Sequence, residues 1–325
     1  MSGYEVRQTE RDGYTVLELT DAGRGAAASV LPAVGFNLFH YEVSGISYIV
    51  GPPDLMVLAE RSSEFGYPIL YPPNRVRGGK MRFGDREYRF PLNDGPNHLH
   101  GEIRRMPWRI ADIGANEADG AYAVAEFRYG DHPELMSYFP HPLVLRITIR
   151  LREGAVYMDG EIRNDGTTAA PLALGFHPYF AIHGEAADAR ITLPAESEYQ
   201  LDVEGFPDRY PAETPLCEWL RDGLAVSEIP EVPDHRLFKL SDGASECCLV
   251  SRSSGTRLTY RFGPEFSYLA LFKPPWMNAV SVEPYTCITN AYNLDWPASL
   301  TGARTLEPGE TYRFYMEAEG EQYGK

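Results

Sequence analysis

The sequence predicts an all-β protein, a large antiparallel β-sandwich. Short segments in which apolar and polar residues alternate recur along the whole chain, as half-buried strands require. No window of about 11 or more residues keeps the apolar spacing of a helix without an interrupting proline or glycine. The 26 prolines and 30 glycines are spread along the chain without a concentrated linker. We therefore expect two packed sheets with long functional loops, in a single domain that spans residues 1–325.

The clearest strand prediction is a hairpin in the middle of the chain. In segment 145–151 the odd positions are apolar and the even positions polar, so one side of this strand should face the core. A turn at 152–154 leads to a predicted return strand at 156–163. Further strands are expected at 14–19, 122–129, 189–193, 257–262, 268–272 and 312–318, separated by turn-forming residues.

Charge and composition exclude some classes of partner. The chain has 30 Lys and Arg against 46 Asp and Glu, a net charge of −16, which repels phosphate backbones and anionic membrane surfaces. The first residues lack the pattern of a secretion signal, and no stretch has the roughly 20 apolar residues of a membrane span. The four cysteines contain no CxxC pair. We expect a cytoplasmic protein without nucleic-acid or membrane partners; the sequence leaves its oligomeric state open.

Three parts of the chain depart from the alternating pattern. They are 74–79 together with 90–101, the stretch "LGFHPYF" at 174–180, and 282–286. Each puts a titratable group near Gly or Pro, where strands end and loops carry function. Taken alone, His177 is typical of a hydrogen-bonded core histidine, Arg75 of a residue that bridges a turn, and Glu283 of a solvated carboxylate. Only their combination indicates a site.

The pair His98 and His100 raises the question of a metal site. Residues two apart on a strand point the same way, so two imidazoles could share one ion. Glu102 continues the alternation, but three ligands from one short strand would surround an ion poorly, and no further histidine has ligand spacing. We expect no metal, with one functional imidazole and one neighbour that faces the loop.

Six segments in order resemble the aldose 1-epimerases, also called galactose mutarotases, and the related hexose-6-phosphate epimerases. They run from about residue 68 to residue 314 and read "PILYPPNRVRGGKMRFGDREYRF", "NHLHG", "LGFHPYF", "PDHRLF", "SVEPYT" and "LEPGETYRF". The resemblance implies the galactose mutarotase-like supersandwich, a small-molecule sugar substrate and a reaction that uses no cofactor.

The resemblance also implies roles for five residues. Glu283 and His177 match the family's base and acid, His100 and Arg75 the groups that hold and polarise oxygens near the anomeric carbon, and Asp234 a substrate-binding aspartate. Exchange of α and β anomers breaks the bond from the anomeric carbon to the ring oxygen and closes the ring on the other face. We expect the carboxylate and the imidazolium on opposite sides of the sugar. Burial should lower the pKa of His177 and the nearby carboxylate should oppose that shift, so that His177 titrates close to working pH.

Departures from the family pattern leave the identity of the sugar open. Ala181 stands where the family usually has Asn, and Glu102 where it has a second Gly. Five basic residues near the first motif suggest a phosphorylated sugar as an alternative substrate: Arg77, Lys80, Arg82, Arg104 and Arg105. Two further alternatives are a non-catalytic carbohydrate-binding protein of the same fold and a metal-dependent β-barrel oxygenase or isomerase.

Overall fold

The computed structural model describes residues 3–232, 234–243 and 245–323. The ends of the predicted 1–325 domain, and Pro233 of the "PDHRLF" segment, lie outside these residues. In chain order the strands are β1 Tyr4–Arg11, β2 Tyr14–Asp21, β3 Ala26–Leu31, β4 Asn37–Val43, β5 Ile46–Ser47, β6 Ile69–Leu70, β7 Arg75–Val76, β8 Lys80–Phe83, β9 Arg86–Arg89, β10 His98–Leu99, β11 Arg109–Asn116, β12 Gly120–Arg128, β13 Leu143–Arg152 and β14 Ala155–Asn164. They continue as β15 Ala170–Leu172, β16 Gly175–Phe176, β17 Tyr179–Ala181, β18 Ala189–Thr192, β19 Ala195–Tyr199, β20 Leu224–Ala225, β21 His235–Leu240, β22 Ser245–Ser251, β23 Thr256–Phe262, β24 Tyr268–Phe272, β25 Ala279–Tyr285, β26 Arg304–Leu306 and β27 Thr311–Gln322.

Helices are few and short, as the interrupted apolar spacing predicts. The α-helices are α1 Leu55–Glu60, α2 Pro133–Met136, α3 Pro215–Asp222 and α4 Ala298–Thr301, and the 3-10 helices are Arg77–Gly79, Ile103–Arg105, Tyr129–Asp131, Val226–Glu228 and Ala291–Asn293. The longest of them, α3, has eight residues. Within the described ranges, no helix has the length and apolar character needed to cross a membrane.

The eight strands predicted from alternation are all present. The predicted hairpin is β13 and β14, which pair from Leu143 opposite Asn164 to Arg152 opposite Ala155. Observed strands extend a few residues past most of the predicted limits, because backbone pairing continues where the side-chain pattern fades. The prediction of an antiparallel all-β fold is confirmed.

Three large sheets form the body of the molecule. Their strand orders are β1-β2-β3-β4-β5, then β11-β12-β13-β14-β27-β23-β22-β18-β20, and then β19-β21-β24-β25-β16-β6 with β17 paired to β25. Three further sheets have two strands each: β7 with β10, β8 with β9, and β15 with β26.

Strand β25 is buried along its whole length. Val280 and Val282 belong to the main hydrophobic core, with the inward side chains of the nine-stranded sheet. Because side chains alternate on a strand, Ser281, Glu283 and Tyr285 point to the opposite face. That face has a smaller apolar cluster around Tyr285, so three buried polar side chains lie in a row on it.

Candidate active site

A cavity of about 320 Å³ opens beside β25, a size typical of small-molecule sites. Its lining residues are Ser63, Glu64, Asn74, Arg75, Leu99, His100, His177, Tyr179, Asp234, His235, Phe272, Pro275, Trp276 and Glu283. All five site residues predicted from the sequence are among them. Glu283 and His177 are 2% and 5% exposed, whereas Trp276 is 51% exposed. The first two form the floor of the cavity and Trp276 lies at its mouth.

Glu283 is held inside strand β25. The sequence suggested a position at a strand end beside Pro284, but β25 continues through Tyr285, with Pro284 opposite Leu269 of β24. The Tyr285 hydroxyl donates to Oε2 of Glu283, which leaves Oε1 directed toward His177. The carboxyl group is therefore fixed by a rigid strand and not by a loop.

His177 lies between the short strands β16 and β17, with its backbone N–H bonded to the carbonyl of Pro68. Its Nε2 is 3.3 Å from Oε1 of Glu283. The imidazole stacks on the Tyr179 ring, with centroids 4.6 Å apart. The neighbours Phe176 and Phe180 point the other way, into the main core, so of the three aromatic side chains in "LGFHPYF" only Tyr179 lines the cavity.

The expectation of an acid and a base on opposite sides of the sugar is not met. The two functional groups contact each other, and no sugar fits between atoms 3.3 Å apart. Both oxygens that exchange protons in anomerisation are bonded to the same carbon, however. A contacting pair can therefore reach both oxygens from one side of the ring.

His98 and His100 have separate environments. His98 is fully buried and its Nδ1 is 2.7 Å from the carbonyl of Pro91, whereas His100 lines the cavity. The chain leaves the strand at the second of them, where His100 has a φ of +66° and Gly101 a φ of +62°. A side chain at Gly101 would lie 1.9 Å from the carbonyl oxygen of Tyr71. This left-handed turn separates the two imidazoles that a regular strand would have aligned.

A second polar network forms the wall around Arg75. Its Nε donates to Asp94 at 2.8 Å and its Nη2 to Asp234 at 3.1 Å. Asp234 accepts from Nδ1 of His235 at 2.7 Å, and Nε2 of His235 lies 3.3 Å from the Asn74 amide. The backbone N–H of Asn74 donates to Nδ1 of His100 at 3.2 Å. His100 therefore carries its proton on Nε2 when neutral.

Burial moves the pKa values of the two floor residues in opposite directions. It raises the pKa of Glu283 to about 8, although the hydrogen bond from Tyr285 opposes the shift. Burial lowers the pKa of His177 to about 3. The expectation that Glu283 would hold His177 near working pH is therefore wrong, since desolvation dominates. It is the carboxyl group that titrates near neutral pH. Between about pH 3 and about pH 8 the pair of Glu283 and His177 holds one proton.

Two further ionisable groups of the cavity, His100 and Asp234, keep fixed states near neutral pH. Burial lowers the pKa of His100 well below its usual value, with His177 and Arg104 adding to the effect. The hydrogen bond from His235, followed by the charges of His235 and Arg75, lowers the pKa of Asp234. His100 is thus a neutral donor and Asp234 a fixed anion.

Comparison with known proteins identifies the family of the chain. The family model described as aldose 1-epimerase matches residues 17–319. The chain belongs to the aldose 1-epimerase family. The structure of a galactose mutarotase-like protein from Clostridium acetobutylicum superposes with a TM-score of 0.89 at 23% identity, over 99% of each chain. The predicted galactose mutarotase-like fold is confirmed.

Curated relatives are distant in sequence. The Escherichia coli protein YihR, itself uncharacterized, is 23% identical over 90% of each chain. Galactose mutarotase of Sus scrofa is 24% identical, over 49% of this chain and 45% of its own length. The family assignment therefore rests on the family model over residues 17–319.

The positions that depart from the family pattern lie away from the cavity. Ala181 pairs with Ala279, and Glu102 is buried in an ion pair with Arg105. None of the five basic residues that suggested a phosphate site lines the cavity either. Arg77, for example, is paired with Asp202 and Glu204.

The aromatic side chains divide between cavity and core. Tyr179 and Trp276 line the cavity, whereas Tyr71 and Phe180 are core residues.

Among the residues that the structure describes, no group of three or more His, Cys, Asp or Glu could hold a metal ion.

Sequence reasoning missed four residues of the site: Asn74, His235, Ser281 and Tyr285. Alternation offered a signal for two of them, since Ser281 and Tyr285 are two residues either side of Glu283 and must share its face. Asn74 and His235 are sequence neighbours of Arg75 and Asp234, but their mutual contact depends on the pairing of distant segments.

Proposed function

We propose that the protein is a cofactor-independent aldose 1-epimerase, which interconverts the α and β anomers of a free aldohexose. The observation that carries this proposal is the contact between His177 Nε2 and Glu283 Oε1, 3.3 Å apart at the floor of a sugar-sized cavity. Membership of the aldose 1-epimerase family supports the same reaction.

The reaction begins with the charged form of the floor pair. Burial favours a proton on Glu283 in the empty cavity, and its transfer across 3.3 Å to Nε2 of His177 gives a carboxylate and an imidazolium without a proton from solvent. Glu283 then takes the proton of the anomeric hydroxyl as the carbonyl forms at C1. The bond from C1 to the ring oxygen breaks, and His177 donates its Nε2 proton to that oxygen.

The open-chain aldehyde leaves the pair ready for ring closure. Glu283 now holds a proton and His177 is neutral, the distribution that burial favours. Rotation about the C1–C2 bond presents the other face of the aldehyde, and the same transfers in reverse close the ring. The pair begins and ends with one proton and the sugar keeps its number of protons, so the reaction balances without a proton from solvent.

The wall residues bind the sugar in this proposal. Neutral His100 directs its Nε2–H toward an oxygen near the anomeric carbon, and the Arg75 guanidinium polarises the same region. Asp234, half-exposed and ionised, accepts hydrogen bonds from hydroxyl groups farther from the floor. Trp276 offers a flat apolar surface at the mouth for C–H bonds of the ring.

Charge at the mouth favours a free sugar over a hexose 6-phosphate. Glu64 and Asp234 line the cavity, and its one arginine, Arg75, already forms ion pairs with Asp94 and Asp234. A phosphate dianion would meet carboxylates without an uncommitted arginine fork.

Polarimetry tests the proposal directly. The optical rotation of freshly dissolved α-glucose, α-galactose and glucose 6-phosphate is followed with and without the protein. Galactose is included because one relative is a galactose mutarotase. We expect the protein to accelerate anomer exchange of a free hexose, and to accelerate that of the phosphate much less. Sugar binding without acceleration would instead identify a non-catalytic binding protein. Faster exchange of the phosphate would identify a sugar-phosphate epimerase.

A further inference from the structure

The hydroxyl group of Ser281 connects His177 to the backbone. Its Oγ is 2.8 Å from Nδ1 of His177 and 2.8 Å from the carbonyl oxygen of Pro178. Ser281 is fully buried and shares the cavity face of β25 with Glu283. It does not line the cavity itself, so it can act on a substrate only through its neighbours.

Only one arrangement of protons satisfies both contacts of Ser281. A carbonyl oxygen can only accept, so the serine proton must point at Pro178. If that proton instead pointed at Nδ1, the serine and carbonyl oxygens would oppose their lone pairs at 2.8 Å. The imidazole must therefore supply the proton of the other hydrogen bond.

The groups around the rest of the imidazole agree with this arrangement. The Tyr179 hydroxyl, 3.5 Å from Nε2, donates its proton to the carbonyl of Ser63 at 2.7 Å. It therefore has no proton to offer to Nε2. Glu283 contacts Nε2, and the His100 ring packs edge-on with centroids 5.2 Å apart.

We propose that Ser281 is a positioning residue that keeps a proton on Nδ1 of His177, so that Nε2 is the only ring atom exchanging protons with Glu283 and the sugar. This inference rests on the proposed function for its catalytic meaning. The imidazolium has two N–H protons, and only the one on Nε2 points toward Glu283. Anchoring the other proton between Ser281 and Pro178 directs the acid to the ring oxygen.

Nitrogen NMR tests the proton position without any assay of activity. In protein with ¹⁵N-labelled histidine at pH 6, the signals of His177 are assigned by their loss in His177→Asn. Nδ1 should carry a proton, because it does so whether the shared proton of the pair is on Glu283 or on Nε2. A bare Nδ1 in the unmodified protein would overturn the proposal.

A matched pair of variants tests the role of the hydroxyl group. Ser281→Thr and Ser281→Val add nearly the same volume but differ in the hydroxyl. The threonine variant should keep a kcat about tenfold or more above that of the valine variant, with KM values within about twofold, because valine leaves the buried Nδ1–H without an acceptor. Equal kcat values for the two folded variants would overturn the proposal.

Thr286→Val is the control for loss of a buried hydroxyl near the end of the same strand. Thr286 Oγ1 accepts from the N–H of Leu174 at 2.9 Å and donates to its carbonyl at 3.1 Å, without contact to His177. This variant should lose thermal stability and keep its kcat. If the protein accelerates no sugar, the proposed function fails, while the NMR measurement still decides where the proton of His177 lies.

Discussion

Two carboxylates of the same cavity show how environment separates chemical roles. Glu283, at the floor, is 2% exposed, accepts a hydrogen bond from the Tyr285 hydroxyl, and has its pKa raised by burial to about 8. The Asp234 side chain, at the mouth, is 54% exposed and contacts Arg75 and His235, and its pKa is lowered. One carboxyl group is thus able to exchange a proton near neutral pH, and the other is a permanent acceptor.

The difference arises from the strands that carry them. Glu283 lies on β25, buried on both faces, where desolvation dominates. Asp234 immediately precedes β21, where Arg75 of β7 and its own neighbour His235 donate hydrogen bonds to it. Changes to Glu283 should therefore affect the chemical step, and changes to Asp234 should affect binding.

The largest effect is expected from Glu283→Gln. The amide keeps the shape of the side chain but cannot take a proton, so kcat should fall by on the order of a hundredfold or more in the polarimetric assay. Glu198→Gln is the control, because Glu198 is also a buried carboxylate of the same sheet but lies outside the cavity. An unchanged rate in Glu283→Gln would remove Glu283 from the mechanism.

Thermal stability shows whether the glutamine variant is folded. Between about pH 4.5 and about 8 the unfolded chain has released the Glu283 proton while the folded protein keeps it, so the stability of the folded state falls as pH rises through that window. Glutamine does not ionise. The melting temperature of Glu283→Gln minus that of the unmodified protein should therefore be larger at pH 8.5 than at pH 5.

His177→Asn should also reduce kcat by about a hundredfold, the usual contribution of a positioned acid. The asparagine amide can form hydrogen bonds but cannot hold the proton that Glu283 passes on. KM should change little, because the wall around Arg75 is left intact. A large rise in KM at unchanged kcat would instead assign His177 to binding.

Asp234→Asn tests the other half of the comparison. Loss of the fixed charge should raise KM by about tenfold, with kcat within about threefold, because a charged acceptor is worth roughly 1.5–3 kcal/mol in a hydrogen bond. Glu204→Gln is the matched control, since Glu204 is an acid paired with an arginine, Arg77, outside the cavity. A fall in kcat with KM unchanged would contradict the division of roles.

The smallest effect is expected from Tyr285→Phe. The Tyr285 hydroxyl donates to Glu283 and lowers the pKa of the carboxyl group, so its removal should raise that pKa further. The alkaline limb of the rate profile should move to higher pH. Tyr268→Phe, which removes a hydroxyl bonded to the backbone of Ser299, should leave the limb in place.

Much of the fold could be predicted because its strands keep a period of two. β13 and β14 alternate cleanly, since one face is buried and the other carries charged residues such as Arg146 and Arg150. β25 gave no such signal as a strand, because both of its faces are buried and a glutamate and a proline interrupt its apolar pattern.

The members of the site could be predicted more fully than their arrangement. The five motif residues converge on one cavity, but the direct contact of His177 with Glu283 depends on the pairing of β17 with β25, far apart in sequence. The separation of His98 from His100 depends on positive φ angles, which a histidine rarely adopts. Burial outweighs charge in the pKa of His177, and the sequence could not predict this because it does not show how side chains pack around the imidazole.

The most direct test of the central claim, that Glu283 and His177 share one proton, is the pH dependence of kcat/KM. Rates are followed by polarimetry on a fresh α-aldohexose from pH 5 to 10, with the spontaneous rate subtracted at each pH. We predict that kcat/KM is nearly constant at lower pH. Above about pH 8 it should fall about tenfold per pH unit, because the pair loses its proton. A rate that stays constant from pH 7 to 10 would contradict it.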